Sequence, residues 1–141
     1  KNNFRVTLDQ DFEGVITACA KVHAQKGGTW ITPEMIRSYI KLHQRGITHS
    51  VEVWRGKNLV GGVYGVDCGG VFSAESMFHL VPNASKIALV ELARYLERAG
   101  AKWMDIQMVT PHTQKMGGHE ISRDEFLTML KKTLKLKLKL F

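Results

Sequence analysis

Between Ser50 and Ser73 the chain passes through three strand-like segments with only turn residues between them. Val51 and Val53 alternate with Glu52, the period of a strand with one face buried. Arg55-Gly56-Lys57-Asn58 is a hairpin turn, and Leu59 to Val66 continues as the next strand. Gly61, Gly62 and Gly65 inside that strand predict bulges or a close backbone approach. Cys68-Gly69-Gly70 interrupts the pattern, and Val71-Phe72-Ser73 begins a third strand. Consecutive strands joined by short turns form an antiparallel meander. A strand–helix–strand unit follows. Asn83 or Ser85 caps a helix whose apolar members include Ile87, Ala88, Val90, Leu92 and Leu96, Gly100 ends it, and Lys102 to Val109 reads as a strand stopping near Pro111. The expectation is α/β or α+β, a mixed sheet flanked by helices.

The flanks agree. Phe4 to Thr7 is a short strand, and acids at Asp9 and Asp11 precede a helix carrying Phe12, Val15, Ile16, Cys19 and Ala20, with Gly27-Gly28 as its stop. Thr32-Pro33-Glu34 pairs a hydroxyl N-cap with proline at the first helical position, opening a helix through Met35, Ile36, Tyr39, Ile40 and His43 to Gly46. Ser122-Arg123-Asp124-Glu125 is a capping box that opens a last helix through Phe126, Leu127 and Leu130. At 141 residues one domain is expected, covering 1–130, followed by a basic tail over 131–141. There is no internal repeat.

Composition narrows the class. Apolar residues at 44% and charged residues at 23% are ordinary for a globular domain. No apolar run reaches the roughly 18 residues of a membrane span. The start, Lys1-Asn2-Asn3-Phe4, has no hydrophobic signal core. Cys19 and Cys68 are too few for a disulfide framework or a four-cysteine zinc site, and read as free thiols in a reducing compartment. The net charge of +7 suggests nucleic acid until it is located. Lys131, Lys132, Lys135, Lys137 and Lys139 lie in the last eleven residues, and without them the balance is 15 basic against 13 acidic residues. The basic signal is therefore a property of the tail.

Common ligand signatures are missing. No GxxxxGK[ST] occurs, and no GxGxxG joins a strand to a helix. His23, His43, His49, His79, His112 and His119 show no HxxxH spacing, so no catalytic metal is expected. Two segments attract attention. Ser73-Ala74-Glu75-Ser76-Met77-Phe78 sets an acid among apolar residues. In Trp103-Met104-Asp105-Ile106-Gln107-Met108, strand periodicity puts Asp105 and Gln107 on one face. Such polar groups either satisfy loop backbone, face water, or build a site together with Glu75.

These segments, with others in the same order, resemble one family. Thr29-Trp30-Ile31-Thr32-Pro33, His49-Ser50-Val51-Glu52-Val53-Trp54, Gly61-Gly62-Val63-Tyr64-Gly65, Glu75-Ser76-Met77-Phe78, Asn83-Ala84-Ser85-Lys86 and Asp105-Ile106-Gln107 are similar to the leucyl/phenylalanyl-tRNA–protein transferases. Pro111-His112-Thr113 and Glu120-Ile121-Ser122-Arg123 extend the likeness to about Leu130. The resemblance implies a GNAT-like catalytic domain that moves leucine or phenylalanine from aminoacyl-tRNA to the N-terminal amine of proteins beginning with Arg or Lys. That addition marks them for bacterial N-end-rule degradation. It implies no cofactor, a cytoplasmic monomer, and no membrane attachment.

The resemblance also implies site roles. The reaction is attack of an amine on an activated ester, so alignment and one proton transfer are the protein's work. Asp105 and Gln107 would form a relay at the attacking amine, and Glu75 would meet the acceptor's cationic first residue. Val63, Phe72, Met77, Leu89, Leu92, Leu96, Met104 and Ile106 would line the pocket for the amino-acid side chain. For Leu92 and Leu96 helical spacing alone explains a core role equally well. Trp30 would stack on the 3′-terminal adenosine, while Trp54 and Trp103 read as core. The family's smaller N-terminal domain has no counterpart in this sequence, and Val63, Ala74 and Gly117-Gly118 depart mildly from its pattern.

Two other classes compete. An acetyl-CoA-dependent N-acetyltransferase would need a glycine-rich pyrophosphate loop opening a helix, but Leu80 to Lys86 contains no glycine. A catalytically silent RNA-binding domain would not need Glu75, Asp105 and Gln107 together. The tail, Leu134-Lys135-Leu136-Lys137-Leu138-Lys139-Leu140, alternates without exception and predicts a docked edge strand. A phosphate-binding patch and a passive extension are its alternatives.

Overall fold

The computed structural model describes residues 3–141; Lys1 and Asn2, part of the segment read above for a signal core, lie outside the described residues. The chain runs β1 (Arg5–Leu8), α1 (Phe12–Gln25), α2 (Pro33–Gln44), β2 (Thr48–Arg55), β3 (Asn58–Asp67), β4 (Phe72–His79), α3 (Ala84–Arg98), α4 (Pro111–Lys115) and α5 (Arg123–Lys135). The sheet order is β1-β2-β3-β4, antiparallel throughout. The meander over β2 to β4 is as expected, and the class is α+β.

Helices cover both faces of this sheet. On one, Phe12, Val15, Ile16 and Cys19 of α1 meet Ile31, Tyr64 and Phe78. On the other, Ala84, Ala88, Leu89, Leu92 and Leu96 of α3 pack on Val51, Val53, Val63, Phe72 and Ala74. Two buried faces explain why the alternation of β2 does not put Glu52 in water. Glu52 is fully buried and accepts hydrogen bonds from Thr7 Oγ1 (2.5 Å), Ser50 Oγ (2.5 Å) and the Gln10 N–H (3.2 Å). A buried carboxylate survives only when its oxygens are so satisfied. Gly61 lets α3 sit close: a Cβ there would lie 2.6 Å from Ala84 Cβ.

Three helix starts follow the sequence signals. Thr32 Oγ1 accepts from the Met35 N–H, Ser122 Oγ accepts from the Glu125 N–H, and Asp11 caps α1 through the Gly14 N–H. Asn83 precedes α3 but caps it without a side-chain hydrogen bond, in a left-handed conformation.

Two expectations fail. Lys102 to Val109 does not form a strand. Its contact with the sheet is one isolated parallel bridge, Ser73 to Asp105, in which Asp105 N–H donates to Phe72 O (2.9 Å) and Ala74 N–H to Asp105 O (2.7 Å). The ladder stops because Gln107 takes φ +71°, turning the chain off the sheet edge. The tail also docks, but not as a strand. α5 runs on through Lys135, Lys137 takes φ +49°, and a short irregular strap places Leu140 in the core at 2% exposure. Phe141 stacks on His49 with ring centroids 3.7 Å apart, and packs on Tyr95 and Phe72. The alternation is spent on two conformations: Leu134 and Leu136 are exposed, while Leu138 and Leu140 turn inward.

His49 under Phe141 belongs to a cluster that the sequence spacing did not disclose. Asp9, His43 and His49 bring their ligand-capable atoms within 4.8 Å of one another. Each has internal work. His49 Nδ1 meets Asp9 Oδ2 at 2.6 Å and its Nε2 meets Gly46 O at 3.0 Å, while His43 Nδ1 meets Thr48 O at 2.7 Å. The cluster ties the start of β2 to the turn after β1.

Candidate active site

β4 supplies the first acid through a break in its own register. Tyr64 opposes Ser76 and Gly65 opposes Ala74, so Glu75 is the extra residue of a β-bulge. A bulge re-aims its side chain out of the sheet's alternation. Gly65 makes the bulge possible, because a Cβ there would lie 2.2 Å from Ser73 O. Glu75 is half-buried and has no ion-pair partner among the described residues. Burial first, and the Asp105 carboxylate second, push its carboxyl above the ordinary value of 4.5.

This shift has a sign that stability can report. The folded state holds the Glu75 proton more tightly than the unfolded chain does. The group's contribution is therefore most favourable at low pH, and declines as pH rises from the unfolded value through the raised folded one. Glu75→Gln removes that decline. Melting curves from acid to neutral pH should show the variant gaining on the parent as pH rises; a constant offset would contradict the assigned shift.

The bridge segment supplies the second half. Asp105 Oδ1 accepts from the Gln107 backbone N–H at 2.8 Å, holding the left-handed turn. The Gln107 side chain points to β4, where Nε2 donates to Ser73 Oγ at 2.7 Å. The structure thus brings Glu75, Asp105 and Gln107 to one end of β4, though not on a shared strand face. Asp105 acts on Gln107 through the main chain, and Ser73 orients the amide so that Oε1 is left as the acceptor. The sequence reading missed Ser73.

The opposite side of Glu75 is aromatic. Tyr64 is fully buried, its hydroxyl has no partner among the described residues, and Tyr39 meets its ring edge-on at 6.0 Å. Burial is the leading cause that pushes the Tyr64 phenol up, followed by Cys19, Glu75 and Tyr39. Next to Glu75, Ser76 Oγ shares a 2.8 Å hydrogen bond with His23 Nε2. Burial, then Lys26, lowers the His23 pKa. Cys19 behind them is buried, and burial pushes its thiol up to about 12.

The apolar residues divide between a cavity, a groove and the core. Val63, Met77, Leu89 and Ile106, with Ala74, Ser76 and Thr113, line a small cavity of about 60 Å³. Leu89, Ile106 and Thr113 also border a groove of about 570 Å³ that includes Leu96, Met104, Trp103 and the Gly117-Gly118 loop. Phe72 and Leu92 line neither and are core at 1% exposure each. Trp30 is 54% exposed. Trp54 and Trp103 are half-buried rather than core, and donate through Nε1 to Thr7 and Thr133.

A family model described as leucyl/phenylalanyl-tRNA protein transferase matches residues 1–131. The chain belongs to that family. Similar relatives are leucyl/phenylalanyl-tRNA–protein transferases of Chromohalobacter salexigens (53% identical over 127 residues, 90% of this chain and 50% of the relative) and Nitrosomonas eutropha (52% over 132 residues, 94% and 56%). A third, from Shewanella halifaxensis, is 45% identical over 130 residues, 92% of this chain and 55% of the relative. The chain spans about half the length of these relatives. The family model's match stops at residue 131, so the last turn of α5 and the strap, residues 132–141, lie beyond it.

Ser73, Tyr64 and His23 are the neighbours of the site that sequence reasoning passed over. Only Tyr64 carried a signal, an aromatic side chain between glycines and opposite in phase to Val63. Ser73 and His23 become visible only when β4 is laid beside the bridge segment and α1.

Proposed function

We propose that this chain is the catalytic part of an aminoacyltransferase that moves leucine or phenylalanine from charged tRNA to the N-terminal amine of a protein beginning with Arg or Lys. The observation that carries the reading is Glu75, a half-buried carboxyl on a bulge with no cation of its own among the described residues, beside a second acid at Asp105. Such a site is complementary to an arriving positive charge. The neighbouring cavity, with adaptable Met77 at its wall, suits an apolar side chain. At about 60 Å³ it is small, and Met77, flexible at its wall, is the side chain able to give way as a leucyl or phenylalanyl group enters.

In this reading the acceptor's side chain pairs with Glu75, which brings its α-amine toward Gln107. Oε1 of Gln107 accepts a hydrogen bond from the amine as it attacks the ester carbonyl. The C–N bond forms, the C–O bond to the tRNA ribose breaks, and the proton leaves with the released hydroxyl. Trp30 offers a stacking face to the terminal adenosine, an interaction worth about 1–3 kcal/mol. The reaction proceeds in the cytoplasm, on a monomer, and the product is a substrate for N-end-rule degradation.

The test is transfer of labelled leucine from leucyl-tRNA to a peptide beginning with Arg. Activity with that peptide and none with one beginning with Asp supports the reading; no transfer to either defeats it. Glu75→Gln should raise KM for the Arg peptide tenfold or more and leave donor KM unchanged, since only the acceptor carries the charge. For the parent, acceptor KM should also rise as pH falls through the elevated Glu75 pKa, at a midpoint above 4.5. Equal losses for donor and acceptor would assign Glu75 elsewhere.

A further inference from the structure

The tail lysines form a fixed surface that the site itself does not use. Lys131, Lys132 and Lys135 occupy about a third of the circumference of α5, and Lys137 and Lys139 follow on the strap; all five are exposed. No acid occurs after Glu125, and none of the five forms an ion pair among the described residues. They are not on a loose tail. Leu140 is buried, and Leu138 lies against Gly70 and Gly100, where a Cβ on either glycine would come within 3.3 Å of it. Gly100 stands in the chain between Arg98 and Lys102, both exposed. The acids nearby include Glu97, exposed beside Arg98, Asp67, whose carboxylate accepts the Gly69 and Gly70 N–H groups, and the site's own Glu75 and Asp105, which with Asp67 act on Cys68 beside Gly69.

This surface borders the site. Phe141 packs on Phe72, whose carbonyl carries the Asp105 N–H, and Leu134 lies against Gly69 in the loop that leads into β4. We infer that the lysine face of α5 and its strap binds the phosphate backbone of an RNA whose end lies in the adjacent site. Lysines without acids, held in position, are the chemistry a phosphate backbone selects. A lipid surface fits less well: Leu138, Leu140 and Phe141 are committed to the core, and the exposed Leu134 and Leu136 do not make the broad apolar face that interfacial helices bury. The inference rests on the proposed use of charged tRNA, and gives that RNA a second contact.

The test uses the whole chain and the triple variant Lys135→Gln, Lys137→Gln, Lys139→Gln. Binding of deacylated tRNA is measured against salt, and transfer is measured from leucyl-tRNA and from leucyl-adenosine, a donor with no phosphate backbone. The variant should melt like the parent and bind tRNA at least tenfold more weakly near physiological salt. Its slope of log affinity against log salt should be shallower by about three, about one per lysine. KM for leucyl-tRNA should rise with kcat unchanged, and leucyl-adenosine should react as with the parent. An unchanged affinity and salt slope overturns the inference while leaving the proposed function intact. So does a loss of binding to anionic vesicles without a loss of RNA binding. Equal loss with both donors means a damaged site and also overturns it. If the parent transfers from neither donor, the proposed function falls, and the salt slope still decides whether the lysines hold RNA.

Discussion

Asp105→Ala is expected to lower aminoacyl transfer by about 10²–10⁴-fold, the range of a lost proton-handling or positioning group. The geometry gives the reason. The Asp105 carboxylate holds the Gln107 N–H at 2.8 Å, and Gln107 stands at φ +71°, a conformation a non-glycine residue keeps only when its surroundings enforce it. Without the carboxylate the turn relaxes, and the amide leaves Ser73. Because the backbone bonds of Asp105 to Phe72 and Ala74 do not involve its side chain, the bridge and the fold should persist. Asp105→Asn keeps an oxygen acceptor for the Gln107 N–H and should recover part of the rate. Steady-state kinetics with melting curves check this. A folded Asp105→Ala variant with full activity would remove Asp105 from the mechanism.

Leu140→Ala is expected to destabilise the fold by about 2–5 kcal/mol, the cost of emptying a well-packed leucine site. Leu140 is 2% exposed within the cluster of Val51, Val53, Phe72 and Leu92. Phe141→Ala should add to the loss by exposing His49 and Tyr95. Chemical denaturation would show a lower midpoint at a similar slope. Leu136→Ala is the control: Leu136 is 62% exposed, and its removal should cost little. If Leu140→Ala unfolds at the parent's midpoint, the strap is not part of the core.

Much of the framework was legible in the sequence because local chemistry governs it. The hairpin turn at Arg55 to Asn58, the caps at Thr32 and Ser122, and the periodic apolar faces of α1 and α3 depend on residues within a few positions of one another. Glu75, Asp105 and Gln107 could be singled out for a similar reason, as polar side chains in apolar surroundings. The failures share a cause. The Lys102 to Val109 segment has the composition of a strand, but whether it pairs depends on how closely it meets β4, and the turn at Gln107 limits that meeting to one bridge. The tail's alternation fits a strand, yet helix α5 absorbs its first residues and the core claims its last.

The sequence by itself determined the element order over most of the chain, the antiparallel meander and the family, and it singled out the three polar residues of the candidate site. These follow from periodicity, turn chemistry and ordered motifs, all written along the chain. Tertiary structure alone decided that Glu75 leaves the alternation on a bulge, that Ser73 orients Gln107, that Glu52 is buried among hydroxyls, and that Leu140 and Phe141 close the core beneath an outward row of lysines. Each depends on which distant segments come within a few ångströms of each other. That is settled by competition among packing partners for the same buried surface, which no local pattern encodes.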